Sequence, residues 1–492
     1  MIGLSRMIKI FARLILVLSV ILSYVLFAEI TIPPIKLDAP PGVKFLYPLQ
    51  FSKTADSYYQ MLSEGFLKKQ LSLSTVPKQE LLDLPDPYNA IQNQRYRGYI
   101  WRAPSGYSYI YYANNDLSLY HNKFYMYFGP LAAVSFFIPV KLLTNYYPSE
   151  SLAVIFFLSL GFMMQFLLMI NIKEKYFPRL PEIWIFGVGL LLAFANNSSF
   201  LLARGVFYEV AISSAYCAMS FALYFLYKIL VDGEKIRNII LFSLFSSLAA
   251  AGRPHFILVC LLLIVCLFIY FLKHVSRARL YSVSMSLFSP ALCVVGLLGI
   301  YNYKRFGSIV EFGQHYMLLG TLNKNGLFSL DIVRNITNGF YSYFIRPYYR
   351  DYFDYHYNLI KLSPGYALEH LAGIIWTAPI VIFIIFLPGL IRENFKNENK
   401  DVFPLLRFSI FLGIIPVTII MFLLMLSAAA QRYVTDFISY LIILAIISVW
   451  FLKESESTKK HYKMLQVIFI VTASISIVVC YRHGLFKQYI AI

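Results

Sequence analysis

Of 492 residues, 43 are Lys or Arg and 25 are Asp or Glu, so 14% are charged against roughly 25% in a typical soluble domain. Hydrophobic residues make up 59%, which excludes a water-soluble globule, a disordered tail and a disulfide scaffold. The net charge of +18 would suggest a nucleic-acid partner in a soluble chain, but here the basic residues sit in short turns between apolar runs. That placement is a membrane-topology signal and points away from nucleic acid.

The expected fold is an all-α polytopic membrane protein. Apolar runs near 20 residues recur, and each is long enough to cross a hydrocarbon layer about 30 Å thick. The first, Ile8 to Ala28, follows Arg6 and Lys9 like a signal peptide, but it is longer than a usual signal core and lacks a small-x-small cleavage site, so it reads as a retained helix. Further spans are expected at about 151–170, 183–203, 207–230, 237–252, 254–272, 280–301, 371–391, 405–427, 433–452 and 464–481, eleven in all. The chain thus divides into a first transmembrane helix (1–28), a first outer loop (29–127), an ambiguous segment (128–144), a helical block (145–301), a second outer loop (302–370) and a carboxyl-terminal helical block (371–492). The two loops hold 13 and 10 tyrosines, which suits surfaces at a membrane interface, where an amphipathic ring has one wet end.

The ambiguous piece, GPLAAVSFFIPVKLL at 129–143, carries Pro130 and Pro139. Whether it spans decides the sidedness of everything after it. If it does not, the turns at 6–13, 173–179, 228–237, 273–279, 392–400 and 453–463 all fall inside with nineteen basic residues. The short outer turns and the tail then hold five, namely Arg204, Arg253, Arg432, Arg482 and Lys487. Spanning would reverse that bias, so the segment is expected to be re-entrant or interfacial, with the amino terminus inside and both loops outside. The five cysteines lie in apolar runs without metal-ligand spacing and read as small hydrophobes.

The most specific arrangement lies in the first loop. In SKTADSYYQMLSEGFLKKQL, Tyr58, Tyr59, Leu62 and Phe66 share a helical face, and Asp56 sits where the helix dipole favours negative charge. Asp56 is therefore either an ordinary helix-terminal charge or a functional carboxylate. Asp83 and Asp86 in LLDLPDPY mark a rigid turn or an acceptor-lining loop. Glu209 stands five residues after Arg204, and Asp436 four after Arg432, a spacing equally suited to a structural ion pair and to a functional boundary carboxylate. His121, His255, His315 and His356 show no ligand spacing, so no metal site is expected.

The amino-terminal pattern resembles the C-type membrane glycosyltransferases, which include protein O-mannosyltransferases and bacterial lipid A aminoarabinose transferase. Asp56 with Tyr58 and Tyr59 is similar to their acidic position in the first outer loop, and NKFYMYFGPLAAVSFFIPVKLLT resembles their interfacial segment. GRPHF at 252–256, YNYKRFGSIVEFGQHY at 301–316 and QRYVTDF at 431–437 also resemble stretches of bacterial members. The resemblance implies an inner-membrane enzyme that moves a sugar, with inversion, from a polyprenyl-phosphate donor to a glycolipid, polysaccharide or protein on the outer face. No cofactor beyond the lipid-linked donor is implied. Such a donor is already activated, so the protein must deprotonate an acceptor hydroxyl and neutralise a departing phosphate. Asp56 is the expected general base. Lys123, Arg253, Arg346 and Arg432 are the candidate phosphate ligands, with Asp86 and Glu209 as further binding candidates; each cation is equally readable as a charge snorkelling to lipid headgroups. The alternative function is a secondary transporter or lipid flippase, for which broken helices and charges deep in the spans are expected.

Overall fold

The structure is a computed structural model that describes residues 2–31, 49–89, 91–102, 108–112, 117–318, 331–347, 362–363, 366–369, 371–396, 400–454 and 462–486. His356, Lys459, Lys460 and Lys487 lie outside the described residues. Helices dominate: α1 (Ile2–Thr31), α2 (Tyr58–Leu67), α3 (Ile138–Thr144), α4 (Glu150–Tyr176), α5 (Glu182–Phe194), α6 (Ser198–Arg204), α7 (Phe207–Asp232), α8 (Ile236–Gly252), α9 (Phe256–His274), α10 (Arg277–Phe306), α11 (Ile332–Phe340), α12 (Leu387–Lys396), α13 (Phe403–Met425), α14 (Gln431–Glu454) and α15 (Tyr462–Phe486). Eight of them are long and apolar enough to cross a membrane, or nine if α5 and α6 form one bent span. The chain is a multi-pass membrane protein by that helix content.

Two expected spans fall short of that criterion. At 236–252 the helix has 17 residues. The stretch 371–391 is broken into Ile374–Thr377, a 3-10 run over Pro379–Phe386 and the start of α12, because Pro379 follows a turn that ends the first piece. The expected run 183–203 is a pair bent by 41°. The break sits at Asn197, whose backbone is left-handed (φ 67). Asn197 Nδ2 donates to the Gln431 carbonyl (3.0 Å) and to Thr435 Oγ1 (3.1 Å), so the break is secured by α14.

The all-α expectation also needs correction, because short strands are present. β1 (Phe51–Ser52) pairs with β6 (Tyr147–Pro148), β2 (Gly98–Arg102) with β3 (Ser108–Tyr112), β4 (Leu117–Tyr120) with β5 (Lys123–Met126), and β7 (Ala367–Glu369) runs parallel to β8 (Ala428–Ala430). The β4–β5 hairpin turns on His121 and Asn122, both with positive φ (49 and 59), the conformation that matches the twist of paired strands. The segment after it is a π turn over Ala133–Phe137 running into α3, an apolar helix too short to span.

At the centre of the bundle, α7 and α14 are almost wholly buried, whereas α1, α10 and α15 expose most of their apolar surface. Ser149 starts α4 by accepting from the Leu152 amide (3.1 Å), with Glu150 in the first turn and Lys173 and Lys175 in the last, matching the helix dipole. A Cβ at Gly161 of α4 would collide with the Tyr216 ring, so glycine lets α4 and α7 close. At one end of the bundle Arg13 of α1 meets Glu174 (2.6 Å) and Glu182 (2.9 Å), and Lys173 joins Glu182 (2.8 Å). The strands, α2 and the candidate site gather at the other end. Three cysteines are buried, but Cys293 is exposed on the outer flank of α10.

Helix α11 is built inside out. Its polar Asn335 and Asn338 are buried, with Asn335 Nδ2 donating to the Met425 carbonyl (2.8 Å), while Ile332, Val333, Ile336 and Phe340 are exposed. An apolar face turned outward fits contact with hydrocarbon. With Cys293 replaced by Ser, an environment-sensitive fluorophore on Ile336→Cys should be quenched by brominated acyl chains in proteoliposomes. Water-like emission untouched by those lipids would contradict this placement.

Candidate functional site

Asp56 is positioned by the start of α2. The Gln60 side chain folds back, and its Oε1 accepts from the backbone amides of Asp56 (2.8 Å) and Ser57 (3.1 Å), satisfying donors that a helix start leaves open. Gln60 Nε2 donates to the Pro148 carbonyl (2.9 Å), and Glu150 Oε1 accepts from the Tyr59 amide (3.2 Å). The helix start is therefore docked on β6 and on the first turn of α4. Asp56 Oδ2 accepts from Thr54 Oγ1 (2.7 Å) and Ser52 Oγ (3.1 Å), which holds the half-buried carboxylate between β1 and α2.

Aromatic rings lead from this carboxylate into the bundle end. Tyr58 packs on Phe207 (4.4 Å between centroids), and Phe207 on Tyr208 (4.2 Å). Tyr59 is fully buried and stacks on Phe137 (5.7 Å), with its hydroxyl donating to the Gly129 carbonyl (3.3 Å). Burial pushes the Tyr59 phenol well above its ordinary value, Glu150 and Tyr301 add to this, and Arg253 opposes it, so the hydroxyl stays protonated and serves as a donor. A Cβ at Gly129 would run into the Ala251 carbonyl, so glycine is what admits the start of the 129–144 segment against the end of α8.

Beyond the rings lies a charge network that is buried at Glu209, Arg253 and Asp436 and partly exposed at Arg204, Glu369 and Arg432. Arg204, which ends α6, approaches Glu209 of α7 (3.1 Å) and Glu369 of β7 (2.6 Å). Glu369 also pairs with Arg432 of α14. The Arg432 guanidinium lies 4.2 Å from the Tyr208 ring centroid and 5.3 Å from that of Tyr433. Arg253 is held extended (φ −133, ψ 111) by the following Pro254, which turns its side chain onto Asp436 of α14 (2.7 Å). His255 Nε2 lies 3.4 Å from the same carboxylate, with its ring stacked on Phe422. Burial lowers the His255 pKa, Asp436 works against that and Arg253 reinforces it, so the imidazole is neutral at neutral pH. The Nε atoms of Arg253 and Arg432 and both Glu209 carboxylate oxygens are buried without an aligned hydrogen bond. Glu209 thus makes an ionic contact without the directional part.

The structure brings four expected site residues, Asp56, Glu209, Arg253 and Arg432, to one end of the bundle. Arg253 is buried, Arg432 is only 11% exposed, and both are paired with carboxylates, so the headgroup-snorkelling alternative does not describe them. The expected Arg432–Asp436 pair is replaced by Arg432–Glu369 and Arg253–Asp436, since each arginine finds a carboxylate on another element. Arg204 and Glu209 do pair.

Three other candidates stand on separate elements. Lys123 opens β5 with an exposed amine. Asp86 Oδ1 accepts from the Tyr88 amide (3.0 Å), which is turn chemistry. Arg346 ends the π turn over Tyr341–Ile345, and its carbonyl accepts from the Gly373 amide (2.8 Å).

Sequence reasoning missed Glu150, Glu369 and Arg305. Glu150 carried only a helix-start signal after Ser149, and Glu369 carried none. Arg305 is buried in one of the quoted motifs, where it donates to the Met126 carbonyl and Asn302 Oδ1 (both 2.7 Å) and lies 3.8 Å from the Tyr301 ring centroid. It ties β5 to the end of α10.

A buried pair broken on one side leaves an uncompensated charge. Asp436→Asn should therefore cost about 3–5 kcal/mol, read as a fall in melting temperature in detergent, whereas the double change Arg253→Met with Asp436→Leu should recover most of it. Equal losses for single and double variants would remove the coupling. Compared with protein-family models, with curated proteins and with solved structures, the chain shows no significant match.

Proposed function

We propose that the chain is an integral-membrane glycosyltransferase of the C type, which moves a sugar from a polyprenyl-phosphate donor to an acceptor outside the cytoplasmic membrane. The observation that carries this reading is the convergence of Asp56, an aromatic passage and buried arginines at one end of an apolar bundle. Asp56 is the general base for the acceptor hydroxyl, and its threonine and serine partners orient the carboxylate without neutralising it. Arg432 supplies positive charge to the leaving phosphate in a low-dielectric setting, where such charge acts most strongly, and Arg253, paired with Asp436, fixes the α14 end that carries it. Tyr58, Phe207 and Tyr208 offer ring faces between the two. Asp56→Asn should preserve insertion and folding but lower transfer by at least about 100-fold, measured as turnover of lipid-linked sugar and as loss of a component from the cell-envelope glycan profile. Wild-type turnover in that variant would remove Asp56 from the mechanism.

The finer topology is eleven crossings with the amino terminus inside, the carboxyl terminus outside and the 133–144 segment in the interface. It is supported by α8 packing between α7 and α10 as a spanning neighbour would, and by the broken 374–396 stretch running along α14 and α15. The basic cluster around Arg13 and Lys173 lies at the end opposite the site, as a cytoplasmic end requires. Cysteines introduced at 56 and 86 should react with an impermeant maleimide on intact cells, and those at 175 and 235 only after permeabilisation. The reverse pattern would overturn the orientation.

One observation favours the second reading, a transporter or flippase. The bent α5–α6 pair, together with the buried Gln165 that bridges Ser220 (3.0 Å) and Ser439 (3.3 Å), is the broken and polar interior such proteins use. Lipid translocation by reconstituted protein without any acceptor or sugar turnover would select it.

A further inference from the structure

We propose that Arg204 and Arg432 form the anion site for the donor's phosphodiester, and that the Glu369 carboxylate occupies this site as a removable latch. The proposal deepens the transferase reading and rests on it for the identity of the anion. Glu369 divides its two oxygens between two arginines from different helices: Oε1 meets Arg204 Nη1 at 2.6 Å, and Oε2 meets Arg432. A phosphodiester presents the same pattern, two equivalent anionic oxygens on one centre, and guanidinium groups recognise both anions alike.

The charge balance points the same way. Arg204 and Arg432 carry two positive charges, and Glu209 and Glu369 two negative ones. Glu209 is buried at the first turn of α7 and belongs to the bundle. Release of Glu369 leaves a net charge of one, which a phosphodiester monoanion matches. The arginines are fixed whether or not the latch is in place, because Arg432 is stacked on Tyr208 and Arg204 is held by Glu209. Arg432 also keeps a buried Nε donor without a hydrogen-bond partner, a donor to spare for a third contact.

What distinguishes Glu369 from Asp436 is its carrier. Asp436 stands on the buried central helix α14 and cannot leave Arg253. Glu369 ends the three-residue strand β7, which is paired with three alanines of β8 and is partly exposed along its length. Leu368 packs against the core, while Glu369 at the strand end is held by its ion pairs and a short parallel ladder, which the incoming anion must replace. The latch keeps two largely enclosed cations paired until the donor arrives, and it returns when the lipid phosphate leaves.

The test uses full-length protein in phosphatidylcholine nanodiscs and didecyl phosphate, a sugar-free phosphodiester, as the probe. Glu369→Gln should bind the probe about tenfold tighter than wild type. Adding Arg204→Gln or Arg432→Gln to that variant should abolish the gain. Unchanged or weaker binding by Glu369→Gln, with the arginine changes still weakening binding, would overturn the latch and leave the anion site standing. Indifference of the probe to every arginine change would overturn the site itself, while transfer by the wild-type protein and its dependence on Asp56 are measured separately and decide the transferase reading. Should Glu369→Gln fail to fold, Ala367→Cys with Ala428→Cys joins two residues paired in the β7–β8 register. The oxidised form should lose probe binding and recover it on reduction. Binding that ignores the disulfide would overturn the proposal.

Discussion

Charge inside an apolar bundle must be paired, and this constraint organises the molecule. The chain holds few charged residues, yet several of them are buried at the two ends of the helices rather than spread over a wet surface. At one end Arg13, Lys173, Glu174 and Glu182 staple α1, α4 and α5. At the other, Arg204, Glu209, Glu369 and Arg432 join α6, α7, β7 and α14, and Arg253 with Asp436 joins the α8–α9 turn to α14. An isolated ion in such surroundings costs several kcal/mol. Each pair therefore fixes which helix ends are neighbours.

The same end receives the first-loop helix. Gln60, Pro148, Glu150 and the Tyr59 amide dock α2 onto α4, so Asp56 inherits its place from the bundle rather than from its own loop. In the proposed transferase reading, a carboxylate held this way is the base, the ring faces line the way to the arginines, and the arginines are the counter-charge for a lipid-borne phosphate. The inverted helix α11 and the exposed flanks of α1, α10 and α15 turn apolar side chains outward around it.

The coarse fold was legible because membrane crossing leaves a length signature, and most expected runs are helices of nearly the expected extent. The breaks were less legible. An apolar run such as 371–391 reads the same whether it is one helix or several pieces, and Asn197 reads as a polar interruption until Gln431 and Thr435 are seen to receive it. In the site, Asp56 and the arginines stood out by residue type beside aromatic or proline neighbours. Their partners did not, because spacing rules along one helix paired Arg432 with Asp436, whereas burial paired each with a residue far away in sequence. Glu369 gave no local signal at all; its importance comes only from the two cations it bridges. The HN turn at 121–122 and the asparagine face of α11 were equally hidden, one by a hairpin in a chain read as helical, the other by polarity facing inward.

The central claim is that the charged end of the bundle holds a lipid-borne phosphate next to Asp56. An electron-microscopy map of the protein in nanodiscs with a non-hydrolysable polyprenyl phosphonate sugar analogue tests it most directly. The account predicts phosphonate density against the Arg204–Arg432 pair, the sugar along Tyr58 and Phe207, and the lipid chain leaving between helices toward the bilayer. Analogue density confined to the bundle interior around Gln165, or to the end marked by Arg13 and Glu182, would contradict it.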